Sequence, residues 1–455
     1  MTSPVATRES IVIVGGGLAG LAAAIALAPR GHRITLLESR NRLGGRASSF
    51  HDATTGQLLD ACQHVSMGCC TNLAHFSQTI GVDRFLQPQP VLWFMTPDRR
   101  ISRFAADPVP APFHLSRALL AAHYLTFTDK LRLVRGMLAL MRLSADADEP
   151  LLPWLKRHGQ NDRTITRFWG LVLTSALNET VERVGTKYAR KVFLDGFLRH
   201  RKAFEVQVPT VPLGRLYGEE LQGWLSQHGV TVRLGQGVRQ VEFADGRAIG
   251  VQFRTGETLP ADRVILAVPF DRVVEMIPEA MRSQLPSMAR VPELTPSPIT
   301  SVHLWYDRAV MDYPHLVLID CLGQWIFDRG EDAAGGHYVQ VVVSASRELR
   351  NQGHAEVERA ITAEIQRLLP KASDAKVLRS RVITEMTATF SAVPGVDALR
   401  APQVTAIPSL VLAGDWTLTG WPATMEGAVR SGYRAAEVIC AARGESAQFE
   451  QPDLR

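Results

Sequence analysis

Gly15-Gly16-Gly17-Leu18-Ala19-Gly20, with Glu38 and Ser39 about twenty residues beyond it, is a set of residues suited to hold a dinucleotide. In such a turn Gly15 allows a sharp exit from a strand, Gly17 lets the backbone approach a pyrophosphate, and Gly20 lets a helix lie close to a sheet. The amides of Leu18 and Ala19 open that helix and offer free N–H groups and a partial positive charge to phosphate oxygens. A carboxylate at Glu38 suits a ribose with a free 2′-hydroxyl and disfavours a 2′-phosphate. Three more groups stand apart from the turn: Arg42-x-Gly44-Gly45-Arg46, Gly414-Asp415 behind an apolar run, and the polar side chains His64, Asn178 and Glu426.

The elements that must position these residues are legible in the pattern. Residues 11–14 and 34–37 read as buried strands flanking an alanine-rich helix to Ala28. Residues 230–234, 238–243, 249–253 and 264–267 read as further strands, with Asp245-Gly246 as a hairpin turn. Residues 410–413 form a last strand, and a helix runs from about Thr424 to Ala441. Between these lie two blocks of another character. Residues 115–176 are mostly helical, with Asp129 as a cap and Leu131, Val134, Leu138 and Met141 on one helix face, and residues 181–198 add another helix. Thr71 or Asn72 caps a helix to about Ile80, and residues 91–95 and 99–104 form a hairpin. Residues 299–306, 338–344 and 377–385 read as strands, with a helix over 355–369.

Composition bounds the class. The chain has 455 residues, enough for two or more cores, and its 46% apolar and 21% charged content is that of a globular protein. Fifty basic against 45 acidic residues leave +5, which is no argument for nucleic acid. Residues 11–28 carry no charge and mimic a membrane span, but the glycines make a nucleotide turn the better reading. Residues 1–10 are polar without a basic leader pattern. The five cysteines are odd in number and lack a Cys-x-x-Cys pair, so no zinc or other metal site and no disulfide framework is expected, and a reducing cytoplasm fits.

Arg42-x-Gly44-Gly45-Arg46 just past Glu38 resembles the FAD-containing amine oxidase and carotenoid desaturase superfamily. The resemblance implies FAD as cofactor, with the paired glycines passing under the flavin and the arginines near the pyrophosphate. It also implies an α/β and α+β architecture: a Rossmann-like FAD-binding domain of the amine oxidase/phytoene desaturase type, with a helical plus mixed-sheet substrate domain. FAD-binding parts are then expected at 1–85, 211–285 and 401–455, and substrate-domain parts at 86–210 (mainly helical) and 286–400 (mixed sheet). Val238 belongs to the strands expected to support the adenosine end. Asp415 suits the ribityl or pyrophosphate region or, more plainly, caps a helix. The helix opening at Met425 to Ala428 is expected to aim its N-terminus at the flavin N1–C2 carbonyl.

A narrower resemblance rests on residues 63–72, on Ala176-Leu177-Asn178, on Thr389-Phe390-Ser391-Ala392-x-Pro394-Gly395 and on residues 414–432, which contain Gly420-Trp421-Pro422-Ala423-Thr424-Met425-Glu426-Gly427. These look like the squalene-associated flavoproteins, the hydroxysqualene dehydroxylases of hopanoid biosynthesis. Ala61-Cys62 departs from the Asn-Gly expected before Gln63-His64. The resemblance implies that reduced FAD delivers hydride to hydroxysqualene, water leaves and squalene forms. That chemistry needs an acid for the leaving oxygen and a dry apolar tunnel. His64 is a candidate acid as an imidazolium, or a structural histidine bonded to a carbonyl; Glu426 is a second candidate, or a residue placed at a helix start by its charge. Asn178 either orients a polar group or caps a helix. Phe168, Trp169, Trp416 and Trp421 are candidates for the tunnel wall or plain core.

The implied partners are a long-chain triterpenoid substrate and an external electron donor, because Gly235-Gln236-Gly237 leads into a strand and no second nucleotide turn is visible. Residues 183–202, rich in Lys and Arg with interleaved Val192, Phe193, Leu194 and Phe197, are expected to touch the inner face of the cytoplasmic membrane. Two other readings stay open: oxidation on the same scaffold (polyprenoid desaturation or amine oxidation), and a prenyl-lipid carrier without flavin.

Overall fold

The structure, a computed structural model, describes residues 8–53, 55–333 and 335–454. Most of the polar opening segment therefore lies outside the described residues. The chain opens with β1 (Ser10–Val14), α1 (Leu18–Leu27) and β2 (Arg33–Leu37), followed by α2 (Thr71–Thr79). A hairpin, β3 (Val91–Met95) and β4 (Ile101–Ala105), leads into α3 (Ser116–Ala121) and α4 (Phe127–Arg142). Then come α5 (Leu171–Leu177) and α6 (Thr186–Phe193). The chain returns through β5 (Thr231–Arg233), β6 (Val238–Ala244), β7 (Arg247–Phe253), β8 (Thr258–Pro260) and β9 (Arg263–Leu266). It leaves again through β10 (Pro296–Tyr306), β11 (His315–Leu318), β12 (Trp325–Glu331), β13 (His337–Ser344), α7 (His354–Leu368) and β14 (Val377–Phe390). It ends with β15 (Leu410–Leu412) and α8 (Met425–Ala441).

Three distant stretches meet in one parallel sheet of order β5-β2-β1-β9-β15. Val12 faces Val264 on one side and Thr35 on the other, so β1 lies at the centre. A strand covered on both faces is apolar throughout, and residues 11–14 are buried. All ten residues of α1 are buried too, because the helix is clamped between this sheet and α8. Gly432 permits the clamp: a Cβ there would lie 2.2 Å from the Ala19 carbonyl oxygen. The β6-β7-β8 sheet sits beside it, and its hairpin turns on Asp245 and Gly246, both at positive φ.

The second body is a seven-stranded sheet of order β14-β10-β13-β12-β11-β3-β4. β11 and β12 carry no signal that the pattern reading used, and β14 runs five residues past the expected Glu385. One face packs Val302, Leu304, Ile326 and Val341 against Ile361 and Ile365 of α7. The other face looks toward the helical layer, where Trp325 Nε1 donates to Ser175 Oγ of α5 at 2.9 Å.

Two side chains after α5 fasten the helical layer to this sheet. Asn178, at φ 53, ends α5 as its left-handed cap. Its amide donates to the Ser297 carbonyl and to Thr389 Oγ1 at 3.0 Å each and accepts from the Ala345 N–H. Glu179 is 0% exposed and receives both arms of Arg347 at 2.7 Å. Burial alone would raise the Glu179 carboxyl; hydrogen bonds from Arg347 and Ser391 reverse this and hold it below the ordinary 4.5.

This pair generates a prediction. Arg347→Met leaves the Glu179 charge buried without its main partner and destabilises the fold by about 3 kcal/mol in denaturant titration. The sign with pH follows from the lowered folded value. The contribution of Glu179 is complete above the unfolded value of 4.5 and is lost as pH falls through the folded one. The stability gap between wild type and variant therefore narrows below pH 4.5 and is constant from 6 to 8.

Candidate functional site

The glycine turn closes at the carboxyl end of β1. Gly15 sits at φ +113, where a Cβ would lie 2.4 Å from the Ala267 carbonyl oxygen, and its N–H donates to the Leu37 carbonyl at 2.8 Å. α1 then starts with Gly17 as an extended N-cap, no side-chain cap and no acid in its first turn. The Leu18 and Ala19 amides thus have no side chain competing for them at the place where an anion is favoured. Gly44 and Gly45 lie directly on this turn. The Gly44 N–H donates to the Gly16 carbonyl at 2.8 Å, and a Cβ on Gly45 would come within 3.0 Å of Gly17 Cα. A Cβ on Gly17 would have nothing nearer than 3.9 Å, so this glycine leaves the open space beside the helix start that a pyrophosphate needs.

Glu38 is buried beside the turn. Its Oε2 accepts from the Gly16 N–H at 2.8 Å, and its Oε1 accepts from the Arg40 N–H and from Ser39 Oγ. The β5–β6 connection wraps the same loop: Gln236 N–H donates to the Glu38 carbonyl and Gly235 N–H to that of Arg40. Val238 opens β6 immediately after this contact and is buried. Arg42 is exposed, held by Nε to Ser48 Oγ at 3.2 Å, and partial burial with Arg40 nearby lowers its pKa.

At the other end of the site Arg46 Nη2 donates to Asp415 Oδ1 at 2.6 Å, and Nη1 to the Ala388 carbonyl at 2.9 Å. Burial opposes the arginine charge, but Asp415 outweighs it and the pKa is raised. Arg46 keeps 27% of its side chain accessible beside an almost fully buried Asp415, so one edge of the pair faces open space. Asp415 is an ion-pair partner here, and the cap of α8 is Thr424, whose Oγ1 accepts from the Gly427 N–H at 3.0 Å. Met425 and Ala428 stand in the first turn of that helix. Ser431, which had no signal in the sequence, receives the Gly414 N–H at 2.8 Å and fixes the Gly414-Asp415 turn on α8.

The three polar candidates, two for acid chemistry and one for orienting a polar group, have distinct fates. His64 is half-buried, and its Nδ1 lies 2.9 Å from the Cys62 carbonyl, so Nδ1–H donates there and Nε2 is left as an acceptor. Burial lowers its pKa, opposed by the Cys62 bond and Asp60 and aided by the Arg46 charge. The imidazolium expected of an acid is therefore disfavoured. Glu426 is 1% exposed and accepts from the Asn72 and Leu73 N–H groups at 3.2 and 2.8 Å and from Arg430 Nε at 2.6 Å. It caps α2 from across the fold, where Thr71 or Asn72 was expected to do so, and both oxygens are engaged. Asn178 is saturated by the bonds described above; its role is the helix cap.

The aromatic candidates divide. Trp169 is core and donates to Gln160; Trp416 is core and donates to the Val268 carbonyl; Trp421 lies between Lys191 and Arg430. Phe168 is half-buried and stacks on Phe193 at 5.6 Å, the one of the four placed to line a passage. In the expected membrane segment Phe193 and Leu194 are buried, Lys187 pairs with Asp397, and Lys191 and Arg199 pair with Asp195, while Arg183, Arg201 and Lys202 are exposed. All five cysteines are free, and no metal-binding cluster occurs among the described residues.

A family model described as flavin containing amine oxidoreductase matches residues 18–440. Curated relatives include the 15-cis-phytoene desaturase of Solanum lycopersicum, 26% identical over 96% of this chain and 79% of that protein. The 15-cis-phytoene desaturase of Synechococcus elongatus is 24% identical over 96% of both chains. Among solved structures, an oxidoreductase from Methanosarcina mazei superposes with a TM-score of 0.71 at 16% identity, covering 94% of this chain and all of that one. Cyclohexylamine oxidase from Brevibacterium oxydans gives 0.68 at 17%, covering 96% and 100%. The uncapped α1, the Gly17 cradle and Glu38 fit the phosphates and ribose of FAD, and Arg46, Asp415 and the start of α8 fit its flavin half.

Two substitutions test the site and the fold. Glu38→Ala weakens FAD retention at least tenfold, about 1.4 kcal/mol, read as the flavin-to-protein absorbance ratio after gel filtration, and also lowers the melting temperature, because the Gly16 and Arg40 N–H groups lose their acceptor. Glu426→Gln lowers the melting temperature by several degrees, because an amide cannot satisfy two helix N–H groups and Arg430, and leaves the flavin ratio near that of wild type.

Proposed function

Because the chain belongs to the flavin-containing amine oxidoreductase family and its cofactor is FAD, we propose that this oxidoreductase acts on a long isoprenoid, dehydroxylating hydroxysqualene reductively to squalene. The observation that carries this reading is the segment 414–432. It resembles the squalene-associated flavoproteins, and it supplies Asp415 to Arg46 and the start of α8 to the flavin end of the site. Bound FAD supplies hydride transfer, and the chain's residues do the remaining work. Phe168, Leu171, Val172 and Trp325 are half-buried apolar side chains packed against the core between the helical layer and the sheet. Such a wall suits a hydrocarbon and excludes water from a developing allylic cation. Val65 and Met67, adjoining His64, extend it. Gly235-Gln236-Gly237 leads into β6 rather than a helix, so the reductant is an external donor.

A second reading has its own observation. Neutral His64, with Nε2 as an acceptor, suits a site that takes up a proton while hydride leaves the substrate, which is desaturation. The phytoene desaturases among the relatives favour the same direction.

The experiment uses the flavin-loaded protein reduced anaerobically with dithionite and given hydroxysqualene in detergent. Squalene in the lipid extract, with flavin absorbance returning in equal amount, is expected. Unchanged hydroxysqualene overturns the proposal. A conjugated polyene formed from phytoene by the oxidised protein with a quinone acceptor selects the second reading.

A further inference from the structure

Helix α4 carries two apolar faces. One is ordinary: Leu133 and Leu140 are buried, and a Cβ on Gly136 would meet the Trp169 ring at 3.0 Å, so the helix rests on the core. The other consists of Phe127, Leu131, Val134, Leu138 and Met141, which on a wheel of about 100° per residue fall within about 80° of one another. The sequence pattern places the last four on one helix face; the structure turns all five outward. Phe127 is 69% exposed and Leu131 56%, and the other three are also exposed. A helix in a water-soluble surface hides its single apolar stripe. A second one, about 21 Å long at 1.5 Å per residue, is an uncovered face.

Its surroundings say what covers it. Phe113, 69% exposed, and Leu120 of α3 enlarge the patch. The exposed charged residues of α4 are Arg132, Arg135 and Arg142, and its one acid, Asp129, is buried in the capping box with Thr126. Arg135 and Arg142 border the stripe on the wheel, whereas Arg132 lies nearer the buried face and is held to the Gly159 carbonyl. Exposed Arg117 of α3 is paired with Asp107 at 3.8 Å, and exposed Arg201 lies close to His114 just before that helix. Apolar residues in one stripe with cations along its border are the pattern of a helix lying in a bilayer interface, side chains in the acyl region and cations at anionic headgroups. Among the described residues no helix is long and apolar enough to cross a membrane, so contact of this kind is in-plane.

We infer that the α3–α4 face docks this protein on an anionic lipid surface, with the Phe127–Met141 stripe immersed and Arg135 and Arg142 at the phosphates. The inference deepens the reading of a lipid substrate. The inner side of α4 belongs to the same apolar cluster against which Phe168 and Leu171 pack, so the docked face lies one helix away from the proposed passage.

The test is flotation of the flavin-loaded protein with vesicles of phosphatidylcholine alone and with one-third phosphatidylglycerol, at low and high salt. Wild type is expected to float with the anionic vesicles and to be released several-fold by salt. Leu131→Asp with Leu138→Asp, two exposed positions, should weaken binding more than tenfold while flavin content and melting temperature stay unchanged. Arg135→Gln with Arg142→Gln should weaken it several-fold and flatten the salt dependence. Failure of wild type to float, or floating by the Asp variant equal to wild type, overturns the inference. So does a wild-type dimer that the Asp variant dissolves in sedimentation without any vesicle binding, which would make a second copy the occupant. Turnover in detergent micelles needs no membrane, so it reports on the substrate reading separately.

Discussion

The ion pair of Arg46 with Asp415 joins residues 369 positions apart and ties the segment after the glycine turn to the turn that follows β15. Removing two charges from water costs more than their attraction returns unless each is hydrogen-bonded elsewhere. Here the Ala388 carbonyl takes the second arm of Arg46, so strand β14 of the larger sheet is drawn into the same contact. One guanidinium therefore registers the glycine turn, the last strand of the nucleotide-binding sheet and the end of the substrate-facing sheet against one another.

The rest of the architecture serves that registration. The chain leaves the parallel sheet twice and returns twice, and each excursion adds material to the second body. What keeps the excursions from drifting is a small number of buried polar fasteners. Asn178 and Glu179 hold the helical layer to β10, β13 and β14, and Glu426 with Arg430 holds α2 to α8. Each is saturated, and each links segments with no local reason to be adjacent.

That division explains what could be read from the sequence. The glycine turn, Glu38, the Asp245-Gly246 hairpin and the extent of α8 rest on neighbours a few residues away, and the pattern places them within a residue or two. Glu426 and Asn178 were legible as polar residues in telling surroundings but not in role, because their partners lie up to 354 positions off. Ser431 offered no signal, being a serine inside a helix whose only mark is a bond to Gly414. Helix α4 is the sharpest case. Leu131, Val134, Leu138 and Met141 and the set Leu133, Gly136 and Leu140 both repeat at helical spacing, and periodicity alone gives no reason to prefer either as the inward face. The second set packs inward where Gln160 and Trp169 press on Gly136: a Cβ there would meet them at 2.7 and 3.0 Å.

The order in which the parallel sheet is completed has a consequence for synthesis. β15 and α8 carry Asp415 and the helix start at Met425, and both are synthesised long after the glycine turn and α1. With elongation at about 5–20 residues per second, a nascent chain exposes its glycine turn and the uncovered side of α1 for tens of seconds before α8 arrives to cover them. Through that interval the ten apolar residues of α1 lack their lid, and the pyrophosphate cradle stands without its flavin half. The apolar side of α1 is therefore the surface a nascent chain must keep from association until α8 packs on it.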